Sequence, residues 1–112
     1  MHPELIILTA LSAECDLPPR DLLAGSKRLR ATEARMLLVY LLVTDLEWPV
    51  KQAAWFVGRD RSTAKHAVET VRRRIDDVAP DADPWWRNTL QATLARLAYE
   101  RGRAPAGGEV AA

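Results

Sequence analysis

The 112 residues carry 16 Lys and Arg against 15 Asp and Glu, a net charge of +1, and 48% of them are apolar. That length suits one domain with a single modest core, and the near-balance excludes a protein that draws polyanions by overall charge alone. A single cysteine, Cys15, excludes an intramolecular disulfide and suits a reducing compartment. No apolar stretch approaches the roughly 20 residues of a membrane helix. Glu4 stands where a signal peptide would be basic, so the expected location is cytoplasmic.

Along the chain, residues 4–14 read as a first helix, with Leu5, Leu8 and Leu11 on a broad apolar face. Pro18 and Pro19 break it, because proline fixes its own backbone and disfavours helix in the residue before it. Arg20 to Ala24 suit one short turn anchored by Leu22 and Leu23, ended by Gly25, with residues 26–30 as loop. Thr32 is a candidate cap for a helix reaching about Leu46. Its run Met36 to Val43 is apolar all round and therefore predicts a buried central strut. Pro49 suits a helix first turn and opens a short helix over 50–56, with Val50, Ala53, Ala54 and Phe56 as core candidates. Val57-Gly58-Arg59 is a tight turn, and Asp60 or Arg61 starts a helix that ends near Asp77. Ala64, Ala67, Val68, Val71 and Ile75 follow helical spacing, so that face is expected to be buried. Pro80 and Pro84 bound an acidic linker. A last helix is expected over 84–100, with Trp86, Leu90, Leu94 and Leu97 on one face. Residues 1–100 then form the domain, and 101–112, rich in Gly, Ala and Pro, are expected to be a disordered tail.

Charge is distributed unevenly. Residues 20–35 hold Arg20, Lys27, Arg28, Arg30 and Arg35 against Asp21 and Glu33, net +3. Residues 59–74 hold Arg59, Arg61, Lys65, Arg72, Arg73 and Arg74 against Asp60 and Glu69, net +4. Facing one way, the two would make a phosphate-attracting surface. Facing apart, they would be ordinary solvated helix surfaces. A glycine closing one helix, an aspartate opening the next, and a basic, hydroxyl-rich first turn is how the recognition helix of a helix-turn-helix begins.

The stretch from Gly58 to Ala67 resembles the signature of the C-terminal DNA-binding domain (domain IV) of the DnaA family, the bacterial replication initiators. That signature runs roughly G-G-R-D-H-[ST]-T-V-x-H-A. Gly58, Arg59, Asp60, Ser62, Thr63, His66 and Ala67 fit it, while Val57, Arg61 and Ala64 depart from it. Ala34-Arg35-Met36 stands where the family has Pro-Arg-Gln, and Lys27-Arg28-Leu29-Arg30 where it has a basic loop. The resemblance spans roughly residues 4–100. It implies an all-α, compact six-helix domain containing a helix-turn-helix, of the Trp-repressor-like kind. It also implies sequence-preferring binding of double-stranded DNA, at a DnaA-box-like or diverged site, by a nucleoid-associated regulator of replication initiation or transcription.

On that reading Asp60, Arg61 and Ser62 read bases, and Lys27, Arg28, Arg30, Arg35, Arg59, Thr63 and Lys65 hold the backbone. Lys51 adds charge at a helix start whose free amides suit a phosphate. Arginine grips guanine through two hydrogen bonds, and aspartate accepts from the cytosine amine. The competing role for Asp60 is a plain helix cap. Arg61 replaces the family's histidine and predicts a shifted or less selective site. Met36 replaces a glutamine and removes a polar contact. An alternative follows from stand-alone members such as the HdaB-like regulators: contact with a DnaA-family ATPase or its inactivator in place of specific DNA binding.

No glycine-rich phosphate loop, metal-ligand spacing or nucleophile with an adjacent base occurs, so neither catalysis, cofactor nor metal is expected. The initiator's ATPase module has no counterpart in these 112 residues. His66 reads as structural. Trp48, Trp55, Trp85 and Trp86 read as core by default. Trp85 and Trp86 are adjacent, so they cannot share one buried helix face, which leaves one of them available to a partner.

Overall fold

The computed structural model describes residues 2–23 and 26–109, with side chains as far as Gly102. Six helices follow one another and no strand occurs among the described residues: α1 Pro3–Cys15, α2 Pro19–Leu23, α3 Leu29–Thr44, α4 Val50–Phe56, α5 Arg61–Asp76 and α6 Trp85–Glu109. No helix among these residues is long and apolar enough to cross a membrane.

Local chemistry sets the helix ends. Pro3 occupies the first turn of α1, where a missing N–H costs nothing. Asp16 ends it at φ 56°, and the Leu17 amide returns to the Ser12 carbonyl at 3.1 Å. The Ser12 hydroxyl donates to the Leu17 carbonyl, closing the same turn from the other side. After α3, Glu47 takes a left-handed φ of 57° and the Trp48 amide reaches the Leu42 carbonyl at 3.0 Å. At the far end of α5, the Arg87 side chain donates to the Ile75 and Asp77 carbonyls. Those are acceptors that a helix C-terminus leaves over.

The apolar run of α3 becomes the central strut. Leu37, Leu38, Val39, Leu41 and Leu42 are buried, and α3 packs against α1, α2, α4 and α5. Ile7 and Leu11 of α1, Leu22 of α2, Ala53 and Ala54 of α4, and Ala64, Ala67, Val68 and Val71 of α5 close the core around it. Helix α6 lies along α1 and touches α5. Its first residues form a clamp: Trp85 and Trp86 meet edge to face at 5.1 Å, Arg30 of α3 lies 4.2 Å over Trp85, and Arg74 of α5 lies 5.9 Å over Trp86.

Four expectations need correction. Helix α3 starts at Leu29 rather than at a Thr32 cap; the Thr32 amide instead bonds the Arg28 carbonyl at 2.9 Å, and Arg30 pairs with Glu33 at 2.8 Å across the added turn. The buried face of α6 is Trp86, Leu90, Thr93 and Leu97, and Leu94 is exposed. Thr93 is tolerated inside because its hydroxyl donates to the Thr89 carbonyl at 2.7 Å. Trp55 is 82% exposed rather than core, because Ala53 and Ala54 take the inward face of α4 and turn it outward. Helix α6 runs to Glu109 rather than ending near Glu100, and Arg101 pairs with Asp45 at 2.5 Å beyond the expected helix end. The last three residues of the expected tail lie outside the described residues.

Shortening a side chain in the strut tests the core. Leu42→Ala is expected to lower the unfolding free energy by about 2–5 kcal/mol, read by urea denaturation with the slope unchanged.

Candidate nucleic-acid interface

Three segments meet at one end of the molecule: residues 26–28, the first turns of α3, and the turn from α4 into α5. Arg35 joins the first two. Only 5% exposed, its guanidinium donates to the carbonyls of Leu22 at 3.0 Å, Asp21 at 2.6 Å and Ser26 at 2.8 Å. A single planar group therefore ties α2 and the basic loop to α3. Burial pushes the Arg35 pKa below its ordinary value, the nearby charge of Arg59 adds to that, and Asp21 opposes it. Arg59 thus stands close to the bracket. Between them runs a cleft bordered by Thr32, Arg35 and Met36 on α3 and by Arg59, Thr63 and Ala64 on the other side. Its volume of about 60 Å³ is well short of the roughly 300 Å³ of a small-molecule pocket, so it is a seam between two exposed surfaces.

The turn itself is tightly specified. Gly58 adopts φ 70°, in the left-handed region, and the Arg59 amide bonds the Ala54 carbonyl at 2.9 Å. A side chain at position 58 would be strained there. Asp60 caps α5: its carboxylate accepts from the Thr63 amide at 2.7 Å and from the Ser62 hydroxyl at 3.1 Å. The Thr63 amide, followed by the Thr63 and Ser62 hydroxyls, holds the Asp60 carboxyl below the ordinary range. Asp60 is consequently an exposed anion whose first task is capping, and Ser62 is already committed to it.

Helix α5 is strongly two-faced. Opposite its buried face stand Arg61, Lys65, Glu69, Arg72 and Asp76, all exposed. None of the ion pairs found among the described residues involves Arg61 or Lys65. The helix stays basic along most of its length: Arg61 and Lys65 near the start are followed, after Glu69, by Arg72, Arg73 and Arg74, and Asp76, Asp77, Asp81 and Asp83 stand only at and beyond its end. His66 belongs to a side-chain string: its Nε2 lies 3.3 Å from the Thr70 hydroxyl, which also accepts from Arg73 at 3.3 Å.

The candidates therefore divide. Lys27 and Arg28 on the loop and Asp60, Arg61, Ser62, Thr63 and Lys65 on α5 are exposed and Arg59 at the turn is half-buried; of these, Arg59 and Thr63 border the seam with Arg35. Arg35 lies beneath them as a bracket. Arg30 turns the other way, paired with Glu33 and stacked on Trp85. Lys51 is exposed in the first turn of α4, on the same outer face as Trp55. Two exposed apolar residues, Leu29 at 72% and Trp55 at 82%, are absent from the candidate set drawn from sequence. The signal for Trp55 was its placement four residues after Lys51. Leu29 had none once residues 26–30 were read as loop.

No family model matches this chain, and no solved structure matches it.

Two variants test the geometry. Arg35→Met is expected to cost about 2 kcal/mol or more, because three charge-assisted bonds to carbonyls go at once. The measurement is urea denaturation, with faster amide exchange at residues 26–28. For Asp60 the folded pKa is depressed, so its contribution to stability is complete above the unfolded value of about 3.9 and is lost as pH falls through the lower folded value. Asp60→Asn retains a cap without that titration. The gap in thermal midpoint between wild type and Asp60→Asn is expected to close as pH drops from neutral into the strongly acid range.

Proposed function

We propose that this protein binds duplex DNA, with α4, the Gly58 turn and α5 working as a helix-turn-helix. In this reading the start of α5 enters the major groove while residues 26–28 follow the adjacent backbone and minor groove. The observation that carries it is the Arg35 bracket. It holds the basic loop against α3, whose first turns face Arg59 and the start of α5 across a narrow seam; in this reading the two cationic segments, distant in sequence, act as one surface. That is the footprint expected of a phosphate-tracking protein. The resemblance of Gly58 to Ala67 to the DnaA domain IV signature supports the same reading, and with it a role in replication initiation or transcription.

Within this account Arg61 is the principal base reader. It extends from the first turn of α5 without a partner to break from, and bidentate arginine to guanine is the commonest specific contact. Asp60 and Ser62 act chiefly by holding that turn in shape. Lys27, Arg28, Arg59, Thr63 and Lys65 serve the backbone. Arg35 serves it indirectly, and Arg30 is assigned to the α6 clamp.

The exposed Trp55 favours a second reading, in which α4 docks on a protein such as a DnaA-family ATPase or its inactivator. Exposed tryptophan is enriched at binding hot spots. Selection from a random duplex pool, followed by titration of the enriched and a scrambled duplex at two salt concentrations, separates the two. On the first reading affinity falls steeply with salt. Arg61→Ala loses about tenfold on the enriched duplex, in line with the ~1–3 kcal/mol of a bidentate contact. Lys27→Ala with Arg28→Ala weakens both duplexes alike and lowers the salt slope by about 0.9 for each phosphate contact removed. Failure to bind either duplex at low salt overturns the DNA reading and leaves the protein-partner one.

A further inference from the structure

Leu29 follows Lys27 and Arg28 directly and is 72% exposed in the first turn of α3. Thr32 and Met36, three and seven residues further on, line the seam toward α5. That spacing sets Leu29 on the same side of α3, one turn nearer its tip. Arg30 leaves that side for Glu33 and Trp85. What residues 27–29 present to solvent is therefore two cations followed by a leucine. The segment is held in place: the Ser26 carbonyl accepts from Arg35 at 2.8 Å, the Ser26 hydroxyl from the Arg28 amide at 3.1 Å, and the Arg28 carbonyl from the Thr32 amide at 2.9 Å. An exposed leucine on a fixed, cation-flanked tip matches the apolar side chains that minor-groove proteins push between base steps.

We propose that Leu29 is such a wedge: it enters the minor groove of a bound duplex and partly unstacks one base step, with Lys27 and Arg28 on the flanking phosphates. This rests on the duplex-binding reading above and adds that the DNA is bent. Pyrimidine–purine steps unstack most readily, so enriched duplexes carry a TA or CA step at one fixed spacing from the site read by α5. Leu29 is then a specificity residue that makes no hydrogen bond to a base.

The test uses the full chain on the enriched duplex, embedded in a fragment of about 150 bp, comparable to the persistence length of DNA. Wild type is expected to speed ligase-mediated ring closure about tenfold. Leu29→Met keeps most of that gain. Leu29→Ala loses it together with the preference for the flexible step, while the salt slope stays that of wild type, since its phosphate contacts remain. A fluorescent purine analogue at the flexible step brightens with wild type and not with Leu29→Ala. Wild-type binding without faster closure, or Leu29→Ala closing rings as wild type does, overturns the wedge and leaves the duplex reading intact. Absence of duplex binding by wild type overturns that reading, and the wedge with it.

Discussion

One guanidinium carries most of the architecture at the functional end. Arg35 is buried with three carbonyls around it, contributed by α2 and by the loop after it. Neither partner could hold itself there. Helix α2 is five residues long and contributes Leu22 to the core; isolated helices of that length do not persist in water. Residues 26–28 contribute no buried side chain. A charged donor with several N–H groups in a fixed plane satisfies three acceptors at once, which lysine could not do with the same geometry. The cost of burying the charge is offset by those bonds, and the strut α3 supplies the rigid base from which the side chain reaches.

The same logic explains why the surface above Arg35 is cationic yet stable. Arg59 opposes Arg35 electrostatically, and no buried side-chain donor or acceptor among the described residues lacks a partner. The anion of Asp60 does not neutralise the group so much as shape it, since its oxygens are occupied by the first turn of α5. Capping and recognition thus fall on neighbouring residues with different duties: Asp60 and Ser62 fix the backbone, and Arg61 and Lys65 reach outward from it.

Much of the fold was legible in the chain. The apolar run of α3, the proline breaks, the glycine turn and the spacing of Ala64, Ala67, Val68 and Val71 each reflect a local rule, and six helices followed. What local rules could not supply was the direction of individual side chains. Arg30 and Arg35 lie five residues apart in one basic stretch, and the family resemblance made both phosphate contacts. In the structure one stacks on a tryptophan of α6 and the other is consumed by carbonyls upstream. Both outcomes depend on long-range packing. Trp55 misled for a related reason: seven residues are too few to establish a helical face, and two alanines outcompeted tryptophan for the inward positions. Thr93 took the place expected for Leu94 because a hydroxyl bonded within its own helix behaves as a small apolar group.

The charge of α5 does not stop at its first turn, and that has its own consequence. Arg61, Lys65, Arg72, Arg73 and Arg74 outnumber Glu69 along it, and its last turn is still basic where Asp76 and Asp77 follow. The helix is thereby a cationic rail rather than a single charged tip. A long polyanion diffusing nearby is drawn toward the length of that rail before surfaces touch, so added salt would slow arrival as well as weaken attachment.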